Sequence, residues 1–218
     1  TVEKPKYALP VYTKQDFLSE VYMDDKNYDT LVGLLKRKKN IVLQGAPGVG
    51  KTFAAKRLAY SIMGVKDNDR IKFVQFHQNT SYEDFIMGYK PSKEGGFELR
   101  KGVFYQFCMK AKLDHGNDYF FIIDEINRGN ISKIFGELLM LIEADKRGKE
   151  TLRLSYQSQE GDFNVPENIY IIGMMNTADR SLAVIDYALR RRFSFYTMQP
   201  AFTAETFVDY KKSVNNES

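Results

Sequence analysis

The stretch Gly45-Ala46-Pro47-Gly48-Val49-Gly50-Lys51-Thr52 spells G-x-x-x-x-G-K-[ST], directly after the apolar run Ile41-Val42-Leu43 and directly before a helical pattern. Those types at that spacing suit a phosphate chain: glycines let successive backbone N–H groups turn inward around phosphate oxygens, and the positive end of the following helix adds to their field. Gly45, Pro47, Gly48, Val49, Gly50, Lys51, Thr52 and Phe53 are therefore the candidate nucleotide-binding residues. Lys51 is suited to bridge the β and γ phosphates, and the Thr52 hydroxyl to coordinate Mg²⁺.

A second group follows the apolar run Tyr119-Phe120-Phe121-Ile122-Ile123, which delivers Asp124 and Glu125 to its carboxyl end. Ligands of parallel α/β sheets bind at that edge. Asp124, with Thr52, is the candidate metal ligand, acting through a water, and Glu125 is the candidate base that orients and activates the attacking water. An Asn-Lys-x-Asp run, which reads guanine in small switch GTPases, does not occur, so no local motif decides between GTP and ATP.

Elements that could hold these groups are legible in the pattern. Short apolar and β-branched runs alternate with longer helical ones, the sign of a parallel sheet covered by helices on both faces. The spacing predicts five strands, beginning at Ile41–Leu43 and continuing with Ile71–Phe76, Tyr119–Ile123, Ile169–Met174 and Phe193–Thr197. Their nearly unbroken apolar character implies burial on both faces. Helices are expected from Thr52 to Met63, with Phe53, Leu58, Ala59 and Ile62 as an apolar stripe and Gly64 as the stop, from Val103 to Leu113, and from Ser132 to Ala144. Pro91 to Gly102 and Thr151 to Pro166 read as inserted hairpins.

Composition fits this α/β reading. With 218 residues, 43% hydrophobic and 28% charged, the chain can bury a full core and is neither disordered nor fibrous. Its longest apolar runs fall far short of the roughly 20 residues a membrane span needs, so no membrane partner is expected. A start at Thr1 without an apolar leader reads as a fragment of something longer, and a lone Cys108 excludes an internal disulfide and fits a reducing cytoplasm. The formal charge of +4 is too diffuse to designate a nucleic-acid surface by itself.

Three further strings carry a resemblance: Asp124-Glu125-Ile126-Asn127-Arg128, Met175-Asn176-Thr177-Ala178-Asp179-Arg180-Ser181, and Asp186-Tyr187-Ala188-Leu189-Arg190-Arg191-Arg192-Phe193. They resemble the McrB-type AAA+ domains, the motor domains of methylation-dependent restriction systems, over residues 12–200. The resemblance implies a P-loop NTPase of the AAA+ type: a five-stranded parallel sheet sandwiched by helices, with inserted hairpins and the helical lid largely absent. It divides the chain into a lead-in and helix (1–40), the nucleotide-binding core (41–200) and the start of a truncated lid (201–218). It makes Asn176 the sensor residue at the γ-phosphate, and Asp179 and Arg180 a signature pair that either organises the site or forms a structural ion pair. Arg191 and Arg192 match arginine fingers that act on a neighbouring subunit's nucleotide, and Arg128 looks like a second residue acting across that interface. It further implies a hexameric ring, GTP with Mg²⁺, an McrC-like endonuclease partner, and DNA met through the complete complex.

Other residues invite less. His77 and His115 form no metal-ligand spacing, Cys108 reads as a small core residue, and Lys36-Arg37-Lys38-Lys39 as a basic helix end. The run Phe104, Tyr105, Phe107 reads as packing rather than a base-stacking platform. Two alternatives stay open: an ATP-driven MoxR-like remodeller, and a scaffold that binds nucleotide without hydrolysing it. The hairpins could face a central pore or be inert ribbons.

Overall fold

The structure is a computed structural model that describes residues 8–156, 161–178 and 187–199. Asp179, Arg180 and the lid start at 201–218 lie outside the described residues.

Two helices open the chain, α1 (Lys14–Glu20) and α2 (Asp25–Lys38). Thr13 and Asp16 close a capping box on the first, and the Asp24 side chain accepts from the Asn27 N–H on the second. Strand β1 (Asn40–Gly45) leads through the P-loop into α3 (Lys51–Met63), which Gly64 ends at φ +75. Then come β2 (Ile71–Gln75), the short α4 (Tyr82–Phe85), a hairpin of β3 (Met87–Pro91) and β4 (Phe97–Lys101), and α5 (Val103–Leu113). Strand β5 (Tyr119–Asp124) is followed by a 3-10 turn at Ile126–Arg128, α6 (Ile131–Phe135), α7 (Leu138–Leu141), β6 (Ile169–Asn176), α8 (Tyr187–Arg192) and β7 (Ser194–Thr197).

The five expected strands form one parallel sheet in the order β2-β5-β6-β1-β7. Because side chains alternate across a strand, each central strand feeds two cores. Ile41 and Leu43 of β1, Phe120 and Ile122 of β5, and Ile172 and Met174 of β6 pack on the α1, α2 and α3 side. Val42, Phe121, Ile123 and Ile171 pack against α5, α6 and α7. The lead-in joins the first of these layers: Tyr12 and Phe17 are fully buried, and Val11 bridges Val65.

Four expectations need correction. The edge strand β2 is not buried on both faces; Lys72, Phe73 and Gln75 are exposed, because nothing among the described residues pairs with its outer edge. The helix expected from Ser132 to Ala144 is two pieces, split where Gly136 adopts φ +51, although its apolar positions Ile134, Phe135, Leu138, Leu141 and Ile142 are all buried. The segment from Thr151 to Pro166 contributes a single bridge between Leu152 and Phe163 rather than paired strands among the described residues. Phe53 leaves the apolar stripe of α3, which is built from Ala54, Ala55, Leu58 and Ala59; it is 44% exposed with the Arg57 guanidinium over its ring. The first hairpin is present and begins earlier than expected, at Met87.

Candidate nucleotide site

Three adjacent strands bring the candidate groups to one edge of the sheet. β1 ends in the P-loop, β6 ends in Asn176, and β5 ends in Asp124. Since β6 lies between the other two, Asn176 stands between the P-loop strand and the acidic strand, in register with Gly45.

The loop is shaped by its glycines. Gly48 and Gly50 have φ +82 and +80, the left-handed region in which a side chain is strained, and Gly50 is also the N-cap of α3. Ala46, Pro47, Gly48 and Gly50 are exposed, with Thr52 and Phe53 exposed on the first turn of the helix. Gly45 has no room for a Cβ, which would sit 2.6 Å from the Met198 carbonyl oxygen. Strand β7 thus runs on to close over the loop's base, and the Met198 N–H donates to the Gln44 carbonyl at 2.8 Å.

Lys51 is buried and donates to the carbonyls of Gly45 (3.0 Å) and Ala46 (2.8 Å). Burial lowers its pKa, against the opposing pull of the Asp124 carboxylate. The Gly45 carbonyl also accepts the Thr177 N–H at 3.1 Å, so the residue after β6 and Lys51 of the phosphate loop share one acceptor. A phosphate chain offers the ammonium a better partner than neutral carbonyls, so the residues present fit a nucleotide. Thr52 at the open helix start and Asp124 on the neighbouring strand end supply hard oxygen donors suited to Mg²⁺.

Glu125 sits at φ +49 and ψ +45, one of two non-glycine residues at positive φ among the described residues. Its N–H donates to Asp124 Oδ1 at 3.0 Å, and its carboxylate pairs with Arg128 Nε at 2.7 Å across the 3-10 turn. Gly173 makes room for that turn, since a Cβ would lie 2.7 Å from Ile126 Cδ1. A strained backbone at a candidate base agrees with the tendency of such strain to gather at working sites.

The arginine string lies elsewhere. The Asn40 side chain at the start of β1 donates to the Arg192 carbonyl at 3.1 Å, whereas the P-loop begins at the other end of that strand. Asn40 and Gly45 are the two ends of the 6-residue strand β1, about 16 Å apart. Arg191 is 66% exposed with Glu143 at 3.8 Å; Arg192 is 16% exposed and turned inward to Glu143 at 3.1 Å and the Leu139 carbonyl. The structure therefore gathers Gly45–Phe53, Asp124, Glu125, Arg128 and Asn176, and sets Arg191 and Arg192 apart from them.

A buried polar cluster escaped the sequence reading. Arg147, 1% exposed, donates to the carbonyls of Ile142 (2.9 Å) and Ile169 and to the Asn40 amide oxygen. Arg147 lies in Asp145-Lys146-Arg147, which looks like solvated surface; the only sequence signal was a lone Asn heading an apolar strand. Among the described residues no cluster of His, Cys, Asp and Glu could hold a metal by itself, and no helix is long and apolar enough to cross a membrane. Cys108 is buried, with its thiol pKa raised by burial.

Comparison with known proteins places this geometry. The chain is 53% identical over 212 residues, 96% of its length, to the Type IV methyl-directed restriction enzyme EcoKMcrB subunit of Escherichia coli K12, of which it covers 46%. It is 27% identical over 194 residues to the Type II restriction enzyme BsuMI component YdiS of Bacillus subtilis 168, covering 72% of this chain and 56% of that one. The chain thus spans about half the length of these curated relatives. A crystal structure of an ATPase candidate from Cytophaga hutchinsonii, 17% identical, superposes with a TM-score of 0.51 over 93% of this chain and 54% of its own, which speaks for the fold alone. The resemblance to McrB-type AAA+ domains is borne out. Residues 40–193, which span the P-loop, the acidic end of β5 and all of β6, match the description "AAA domain (dynein-related subfamily)", and the chain belongs to that family.

Proposed function

We propose that this domain is the Mg²⁺-dependent, GTP-hydrolysing motor of a modified-DNA restriction complex, working in the cytoplasm as a hexameric ring and driving DNA translocation for an McrC-like nuclease partner. One observation carries the hydrolytic part: the P-loop, Asn176 and Asp124–Glu125 end three adjacent strands at the same edge of the sheet. The restriction context rests on similarity to the two restriction-enzyme subunits.

The chemistry follows from the positions. The backbone N–H groups of 48–52 and the Lys51 ammonium would hold the phosphates and offset the charge that grows on the leaving group. Thr52 and Asp124 would hold Mg²⁺, which would supply charge neutralisation to the phosphate chain. Glu125 accepts the proton of the attacking water, and Asn176 orients that water against the γ-phosphate. Before it acts, Glu125 has to leave Arg128, its partner in this structure.

Arg191 and Arg192 lie about 16 Å along β1 from their own P-loop. That separation supports action on a neighbour's nucleotide, where an arginine is worth about 10³ to 10⁵ in rate. Arg191, exposed, is ready to do so; Arg192 serves first to fix the helix end through Glu143. The test is phosphate release from GTP and from ATP over a range of protein concentrations with the full-length subunit. GTP turnover that rises more than linearly with protein and vanishes in Glu125→Gln is the expected result. Turnover with ATP alone would move the assignment to a protein remodeller, and nucleotide binding with unchanged turnover in Glu125→Gln would remove Glu125 from catalysis.

A further inference from the structure

We infer that Arg147, together with Asn40, is a positioning residue for the arginine helix α8: it fixes where Arg191 and Arg192 stand, and thereby governs what one subunit supplies to its neighbour's nucleotide site. This rests on the reading that those arginines act between subunits.

The guanidinium of Arg147 is enclosed on every side. Its Nε donates to the Ile142 carbonyl, at the end of the α7 turn, at 2.9 Å. One terminal nitrogen donates to the Ile169 carbonyl, at the first residue of β6, and the other to the Asn40 amide oxygen, at the first residue of β1. Asn40 in turn donates to the Ile142 carbonyl (2.8 Å) and to the Arg192 carbonyl (3.1 Å), so the last residue of α8 is tied to the guanidinium through a single amide. The same α7 turn carries the side-chain partners of the helix: Leu139 offers its carbonyl to Arg192, and Glu143 its carboxylate to Arg192 and Arg191. The backbone of Arg147 closes this turn by donating to the Glu143 carbonyl at 3.3 Å.

An aliphatic side chain would fill this space without desolvating a charge, and burying a cation among neutral oxygens is costly. What only a planar, multiply donating group can do is fix three chain segments in one plane at once. Those segments are the roots of the P-loop strand and the sensor strand and the turn that grips α8. Displacement of a catalytic group by about 1 Å can cost on the order of 10²-fold in rate, so loss of this tie should show in the arginines' delivery rather than in nucleotide binding.

Mixed assemblies of full-length subunits separate the two. An acceptor carrying Arg191→Ala and Arg192→Ala keeps its nucleotide site but has no fingers; a donor carrying Glu125→Gln has fingers but no base. Mixed, they should regain GTP turnover that neither shows alone. Arg147→Met added to the donor should lower the regained turnover by on the order of 10-fold to 10²-fold. The same change added to the acceptor should leave it within about twofold, while Arg147→Lys in the donor should recover part of the loss. Asn40→Asp in the donor is the second variant: its carboxylate keeps a partner for Arg147 but has no N–H for the Arg192 carbonyl, so it should mimic Arg147→Met in a folded subunit. Equal loss on the donor and acceptor sides, or no loss in either donor variant, would overturn the inference. Failure of the unmodified donor and acceptor to complement would instead overturn the reading between subunits, and this inference with it.

Discussion

At the scale of single residues, Glu125 shows how the site departs from a relaxed chain. A left-handed backbone costs an L-residue on the order of 1–2 kcal/mol, and here it is adopted by the candidate base, at φ +49. The conformation turns the chain sharply after Asp124, so that consecutive carboxylates take different partners: Asp124 accepts the Glu125 N–H and Glu125 pairs with Arg128. A glycine would hold the turn without strain and an alanine would not, while both lose the carboxylate and its ion pair. Glu125→Gly should therefore be more stable than Glu125→Ala by about 1 kcal/mol in denaturant titration, with neither hydrolysing nucleotide. Equal stabilities would mean that the turn is not strained. Had selection favoured stability alone, glycine would be the better residue here, so the glutamate points to chemistry.

At the scale of elements, periodicity alone carried far but could not see a break. The burial of Ile134, Phe135, Leu138, Leu141 and Ile142 was readable from their spacing, and their positions on one face survive in the structure. What spacing could not show is that Gly136 takes φ +51 and ψ −131, which divides the helix while keeping both halves facing the core. Similarly, the apolar run of β2 looked like a buried strand because its edge position is decided by sheet order, a property of the whole sheet rather than of Ile71–Gln75. The P-loop, Asp124 and Glu125 were legible because each follows an apolar strand and every strand of a parallel sheet delivers its end to the same edge, whereas Asn176 was reached through the resemblance of its string. Arg147 was not legible, because two of its partners are the backbone carbonyls of Ile142 and Ile169, which leave no sequence signal, and the third is the side chain of Asn40, 107 positions away. The break at Gly136 can be tested: an alanine Cβ would meet the Tyr82 ring at 3.0 Å in a backbone region that L-residues avoid. Gly136→Ala should cost about 1–3 kcal/mol in chemical denaturation, whereas an uninterrupted helix would gain stability from the same change.

At the scale of the whole molecule, the sheet separates two ends with different work. Its carboxyl edge holds the phosphate loop, Asn176 and the acidic pair, and its amino edge holds Asn40, Arg147 and the end of the arginine helix. On the proposed reading, with Arg191 and Arg192 at the far end of β1 from their own P-loop, a single chain would be complete for binding and incomplete for rapid hydrolysis. Binding and assembly should then be separable in heat stability. Mg²⁺-nucleotide at 100 times its dissociation constant stabilises the folded state by about 2.7 kcal/mol. For a domain of this size that is a rise of roughly 5–10 °C in Tm. Lys51→Ala should lose the rise, since the ammonium would no longer meet phosphate. If subunits close on each other's nucleotides, the wild-type rise should also grow with protein concentration, because assembly adds a second linked equilibrium. Arg191→Ala should then keep the rise seen at high dilution and lose the growth, since among the described residues its exposed side chain has only a long pair with Glu143 to lose within the chain. A rise independent of protein concentration in both proteins would instead describe a domain that binds nucleotide alone, and would place the arginine helix outside the nucleotide's reach.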